Sequence, residues 1–220
     1  MEEIYVSGDI ISERQVCNAE NAFKIPVYNV YGATECGPRL TAQHKGSDNI
    51  KGSVGYPLEG VEIFVAKSNK KKYGSIWVKT ESFMNGYLDK DIVIPMKNGF
   101  WNTGDYGYMQ DGQLFVLGRY KNIIISGGHN ISPEKIEYLI VQAGIVREVV
   151  ILGIPDRILG EKVICIYSDK KEKESELSVF CWENLSIYEK PQKFIYIKEG
   201  LKKNNNGKID RKYYKERMVN

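Results

Sequence analysis

The chain has 220 residues, a formal net charge of +3, 42% hydrophobic residues and 27% charged ones. That hydrophobic share excludes a disordered chain, and the length suits one large or two modest domains with cores of their own. The charge is too small and its lysines too scattered for a nucleic-acid face, and no apolar run reaches membrane-spanning length. Cys17, Cys36, Cys165 and Cys181 lie far apart with no Cys-x-x-Cys pair, so neither a zinc site nor a redox motif is indicated and reduced, mostly buried thiols are expected. The acidic first residues do not read as a signal peptide, and the expected location is the cytoplasm.

In chain order, residues 4–7 read as a short buried strand. Ser12 is placed to cap a helix reaching about Phe23, with Val16, Ala19 and Phe23 on one side, and residues 25–30 form a second strand. Strand, helix, strand implies a parallel α/β layer, whose ligands bind beyond the carboxyl ends of the strands. There the chain reads Tyr31-Gly32-Ala33-Thr34-Glu35-Cys36-Gly37. Glycine lets backbone approach a ligand, Thr34 offers a hydroxyl to a phosphate oxygen, and Glu35 offers a hard oxygen suited to Mg²⁺, although Gly-Ala-Thr also makes an ordinary turn.

Residues 52–87 are β-rich: a turn at Gly55-Tyr56-Pro57, strands over 61–65 and 74–78, and a solvated lysine loop over 67–72 between them. Short strands spaced by glycine turns suggest a small barrel or distorted sheet. Residues 101–130 then place an acidic turn, Thr103-Gly104-Asp105, before a strand over 113–117, a break at Gly118-Arg119, a strand over 122–125 and a Gly127-Gly128 turn. An exposed carboxylate on such a turn can accept two hydrogen bonds from a vicinal diol, and an arginine past a strand end can reach anionic oxygens. Beyond it, Ser132-Pro133 starts a helix with Ile136, Leu139, Ile140 and Ala143 on one face. Strands over 148–153 and 162–167, a mixed-charge loop over 169–176, a helix over 176–185, a strand over 193–197 and a helix from about Arg211 complete a compact α+β domain.

The order of these segments, ending in Asn130-Ile131-Ser132-Pro133-Glu134-Lys135-Ile136-Glu137 and Gly207-Lys208-Ile209-Asp210-Arg211, resembles the adenylate-forming superfamily of acyl- and aryl-CoA ligases, peptide-synthetase adenylation domains and luciferases. The resemblance implies α/β and α+β architecture: residues 1–118 as the end of the large N-terminal domain, a short parallel α/β layer plus a small barrel-like subdomain, and residues 119–220 as the compact mobile C-terminal domain. It implies that Tyr31 stacks near the adenine, that Thr34 binds the α-phosphate and Glu35 holds Mg²⁺ as catalytic groups beside the catalytic lysine, Lys208, and that Gly32, Asp105 and Arg119 bind the nucleotide. Lys121 takes the position of the hinge, and Gly127 and Gly128 that of the turn presented to the thiol.

ATP or AMP, Mg²⁺, coenzyme A and a carboxylic acid are the implied ligands. The Ile-Ser-Gly-Gly-x-Asn-Ile wording favours CoA over a carrier protein, and His129 reads as a solvated turn histidine. The family's Ser/Thr/Gly-rich phosphate loop has no counterpart in these residues, and no Walker-type motif replaces it. The expectation is a C-terminal portion of an AMP-forming ligase, inactive by itself, completed by a missing N-terminal portion or paired as a homodimer. A carrier-loading adenylation domain, one half of a split ligase and a non-catalytic homologue stay open as alternatives.

Overall fold

The computed structural model describes residues 2–8, 11, 13–67, 72–170 and 172–219. They divide into two compact units, Met1–Lys121 and Asn122–Asn220. Ser12, the expected helix cap, and residues 68–71 of the lysine loop lie outside the described residues.

The first unit opens with β1 (Ile4–Val6), α1 (Glu13–Phe23) and β2 (Val27–Ala33), and β1 pairs β2 in parallel as strand-helix-strand order requires. The helix buries none of its residues, and Phe23, placed with Val16 and Ala19 on one side, is 65% exposed. β2 runs through Tyr31, Gly32 and Ala33, so these residues belong to the strand rather than following it. A tight 3₁₀ turn, Thr34–Cys36, then reverses the chain into β3 (Gly37–Ala42), antiparallel to β2. The glycine at 32 answers to that neighbour: a Cβ there would stand 2.3 Å from Pro38 O. Tyr56-Pro57, expected as a turn, forms β4 against β3.

The remaining strands of this unit are β5 (Val61–Lys67), β6 (Gly74–Thr80), β7 (Met96–Lys97), β8 (Phe100–Gln110) and β9 (Gln113–Arg119). Among the described residues they form one sheet in the order β5-β6-β8-β7, with β9 also on β8. Leu40 and Cys36 pack with Val65, Ile76, Val78, Trp101 and Leu114 between the two sheets. Two expectations change here. Thr103-Gly104-Asp105 is no turn but an irregularity inside β8, where Gly104 takes φ +73° and the pairing with β6 shifts register. Nor does the chain break at Gly118, because Gly118 and Arg119 pair with Tyr106 and Asp105 as the end of β9.

A 3₁₀ turn, Tyr120–Asn122, leads to the second unit, whose first strand β10 (Ile124–Ser126) begins two residues later than expected. It turns at Gly127-Gly128, both at positive φ, into β11 (His129–Ile131). Next come α2 (Pro133–Ala143), β12 (Glu148–Asp156), β13 (Gly160–Ser168), α3 (Lys173–Asn184), which begins inside the expected loop, β14 (Lys193–Tyr196) and α4 (Arg211–Val219). Ser132 caps α2 through Lys135 N at 3.2 Å with proline in the first turn, and Gly144 closes it in a left-handed conformation. Ala143 is exposed, leaving Ile136 and Ile140 as the buried face.

β12 and β13 are apolar on both sides because both sides are covered. Val149, Ile151, Val163 and Cys165 meet α2 and α3, while Val150, Leu152, Ile164 and Ile166 meet Tyr214 of α4. Among the described residues no helix is long and apolar enough to cross a membrane. Gly55 is a sharp test of the first unit, since its φ is +82° and a Cβ would stand 1.9 Å from the Ala42 carbonyl carbon. Gly55→Ala is expected to cost about 2–4 kcal/mol in urea unfolding, against about 1 kcal/mol for Gly46→Ala, whose added Cβ meets nothing.

Candidate functional site

In the first unit the polar chemistry converges where β2, β8 and β9 meet. Asp105 is 6% exposed, against the exposed carboxylate expected, and its oxygens face two protein groups. Tyr31 donates its hydroxyl to Oδ2 at 2.5 Å, and Arg119 Nε lies 3.0 Å from Oδ1. Arg119 also donates through Nη1 to Thr103 O at 3.0 Å, while the Thr103 hydroxyl accepts from Asp105 N at 3.0 Å. The register shift at Gly104 therefore turns the Asp105 carboxylate toward β2 and β9 together. Burial, then the Asp105 charge beside it, holds the Tyr31 phenol well above its ordinary range, so it remains a donor at neutral pH. The Arg119 side chain is 55% exposed, leaving its outer face open to solvent.

Immediately after Tyr31, an open cleft of about 430 Å³ is lined by Ser7, Gly32, Ala33, Thr34, Gly37 and Pro38. Thr34 is exposed at its edge and Glu35 is half-buried. The Tyr87 hydroxyl donates to Glu35 Oε1 at 2.8 Å, and that bond is the largest cause of the raised Tyr87 pKa. Among the described residues no three His, Cys, Asp or Glu side chains cluster as a metal site. Glu35 offers one hard carboxylate oxygen of the kind Mg²⁺ takes together with water and phosphate oxygens. Tyr87 went unassigned in the sequence; its only signal was its place in the Phe83-Met84-Asn85-Gly86-Tyr87 segment.

Lys208 lies in the second unit on an exposed, closed loop: Asn204 N donates to Lys208 O at 2.7 Å and Lys208 N to Asn204 Oδ1 at 3.1 Å. Gly127 and Gly128 form the tip of the β10–β11 hairpin, and Gly127 N donates to Leu159 O at 2.9 Å. His129 is exposed, as expected of a solvated turn histidine, and stacks on Tyr188 with ring centroids 3.6 Å apart. Lys121 is the last residue of the first unit. Glu137 and Arg211, present in the motif segments without an assigned role, pair tightly, with Glu137 Oε1 accepting from Ile151 N at 2.6 Å. Burial pushes the Glu137 carboxyl up to about 7 against the opposing pull of Arg211 and the Ile151 N–H.

Residues 2–88 match the family model described as AMP-binding enzyme, and residues 135–208 match the AMP-binding enzyme C-terminal domain. The chain belongs to the adenylate-forming superfamily of AMP-binding enzymes. It is 35% identical to 2-succinylbenzoate–CoA ligase of Lactococcus lactis over 96% of this chain and 46% of that one. The 2-succinylbenzoate–CoA ligase of Staphylococcus epidermidis is 32% identical, over 100% of this chain and 47% of the relative. Among solved structures, O-succinylbenzoate coenzyme A synthetase from Bacillus subtilis, in complex with ATP and magnesium ion, aligns with a TM-score of 0.84 at 28% identity, covering 96% of this chain and 46% of that one. An anthranilate CoA ligase in complex with anthranoyl-AMP, at 20% identity and a TM-score of 0.86, covering 100% of this chain and 45% of that one, shares the fold. The chain spans about half the length of the curated relatives it matches.

Two measurements probe the buried carboxylates. A double-mutant cycle of Tyr31→Phe and Asp105→Asn, read by urea unfolding, is expected to give a coupling of about 1.5–3 kcal/mol; a value near zero would mean that the hydroxyl does not hold the carboxylate. Glu137 keeps its proton in the folded state up to about pH 7, whereas an unfolded glutamate releases it near 4.5. Stability of the second unit should therefore fall as pH rises through that window and level off above it, and Glu137→Gln should flatten the slope.

Proposed function

We propose that this chain supplies the Mg²⁺-binding, ribose-binding and catalytic-lysine portions of an AMP-forming acyl- or aryl-CoA ligase. In the first reaction a carboxylate oxygen attacks the α-phosphorus of ATP, and pyrophosphate leaves as the acyl-adenylate forms. In the second, a thiol sulfur attacks the activated carbonyl carbon and AMP leaves. Named in both curated relatives above, 2-succinylbenzoate is the first acid to test.

The observation that carries the reading is the meeting of Asp105 and Arg119 with Tyr31, which stands three residues before Thr34 and the cleft that Thr34 lines. Asp105, already oriented by two donors, accepts from ribose hydroxyls, and Arg119 turns its exposed face to anionic oxygen. The Thr34 hydroxyl donates to the α-phosphate. Mg²⁺, when bound at Glu35, supplies positive charge to the phosphates. Lys208 carries a cation to the point where two anions must approach each other, and such preorganised charge is a large part of catalysis in a water-poor site. Lys121 absorbs the rotation that exchanges the Lys208 loop for the Gly127-Gly128 hairpin, which then receives the thiol of coenzyme A. Met1–Lys121 and Asn122–Asn220 act in this reading as fixed and swinging portions, three residues later than the 118/119 boundary the motif order implied. The free, mostly buried cysteines suit a reducing cytoplasm.

The reading is tested by ATP–pyrophosphate exchange in the full-length enzyme. Lys208→Ala is expected to lower acid-dependent exchange ~10²–10³-fold while thioester formation from supplied acyl-adenylate persists. Exchange indifferent to this substitution would remove Lys208 from the mechanism. The 220-residue chain alone, without a phosphate loop, is expected to give no exchange; robust activity would refute that.

A further inference from the structure

The loop that bears Lys208 is fastened at both ends. At its entry, Glu148 of β12 accepts from Leu201 N at 2.8 Å and pairs with Lys203 Nζ at 2.9 Å. Across its base, Asp210 N donates to Lys202 O at 2.9 Å, and Lys202 N donates to the Tyr214 hydroxyl at 2.7 Å. At its exit stands Arg211, the first residue of α4. One guanidinium nitrogen, Nη1, donates to Ile151 O at 3.0 Å; the other, Nη2, pairs with Glu137 and lies 3.7 Å from Glu134 Oε1.

Glu134 presents that same oxygen to Asn122, whose Nδ2 donates to it at 2.6 Å. Its second oxygen is buried without a hydrogen-bond partner among the described residues. A carboxylate so enclosed depends on the few groups that do reach it, because losing one leaves charge uncompensated. Asn122 is the first residue of the second unit, next to Lys121.

We infer that Arg211 is a positioning residue for Lys208, and that Glu134 extends its hold to Asn122, so that the lysine loop, the start of α2 and the residue after the hinge form one stiff piece. This rests on the role proposed above for Lys208 and Lys121. A planar fork bonded at once to a carbonyl and a carboxylate permits little rotation, and it lies three residues from the lysine it serves. Misplacement of a reacting group by about 1 Å can cost about 10² in rate, which gives such an anchor a use. A hinge also confines a large φ/ψ change to few residues only if its neighbour is held firmly, as Asn122 is.

Hydrogen exchange of the 220-residue chain, read by mass spectrometry over residues 202–210, tests this. Asn122→Ala is expected to speed exchange in that loop about tenfold, although the substitution lies far away in sequence and touches no atom of it. Arg211→Ala should speed it at least as much, and Arg211→Lys, which keeps the charge but not the fork, should partly restore protection. Peptides from α3 and β14 should stay unchanged. Loop exchange unaltered in Asn122→Ala, with circular dichroism showing an intact fold, overturns the coupling. Should Arg211→Ala unfold the second unit, Asn122→Ala and Arg211→Lys still decide it. Adenylation by the full-length enzyme that ignores Lys208→Ala would refute the catalytic reading and leave the coupling standing, whereas unaltered exchange refutes the coupling alone.

Discussion

A carboxylate taken out of water must find a cation and donors, and both units are arranged around that requirement. Asp105 is enclosed where β2, β8 and β9 meet, with Tyr31 and Arg119 on its two oxygens. Glu137 faces the sheet of the second unit, between the Ile151 N–H and Arg211. Burying either group as an ion costs several kcal/mol: Tyr31 and Arg119 offset that cost at Asp105, whereas at Glu137 burial outweighs Arg211 and the Ile151 N–H and holds the carboxyl up at about 7. Each pairing also joins segments remote in sequence. Holding a charge in place and holding the chain together are here the same act.

The consequence is a site whose working residues sit on strands more than on loops. Tyr31 lies near the end of β2, Asp105 lies within β8 and Arg119 ends β9, each held by backbone pairing on at least one side. Elements of that kind define side-chain position within narrow limits, as chemistry on a phosphate demands. The lysine loop and the two-glycine hairpin are different in kind. They are short excursions from a sheet covered on both faces, and their local geometry comes from hairpin bonds and from carboxylates at their bases.

Much of this architecture was legible in the residues. Apolar runs and helical spacing located nearly every strand and helix of the second unit, because β12 and β13 are apolar along most of their length and α2 carries its own caps, Ser132 and Gly144. The motif residues from Tyr31 to Lys208 announced the superfamily through their order. Less legible were the features that depend on a neighbour distant in sequence. Gly104 looked like a turn because glycine and aspartate favour turns locally, yet cross-strand pairing on both sides of β8 absorbs it as a bulge. Helical spacing put Phe23 on one side with Val16 and Ala19, but spacing says which face a residue occupies and not whether anything covers it.

The sequence by itself determined the class of fold, the superfamily and the identity of the candidate groups, since these follow from local propensity, periodicity and motif order. Only the tertiary structure decided that Asp105 is buried and already bonded to Tyr31 and Arg119, that Glu35 accepts from Tyr87, and that Arg211 pairs with Glu137 and lies near Glu134. Those are contacts between segments tens of residues apart. Their energy depends on how much water packing removes from around a charge, and no stretch of chain specifies that alone.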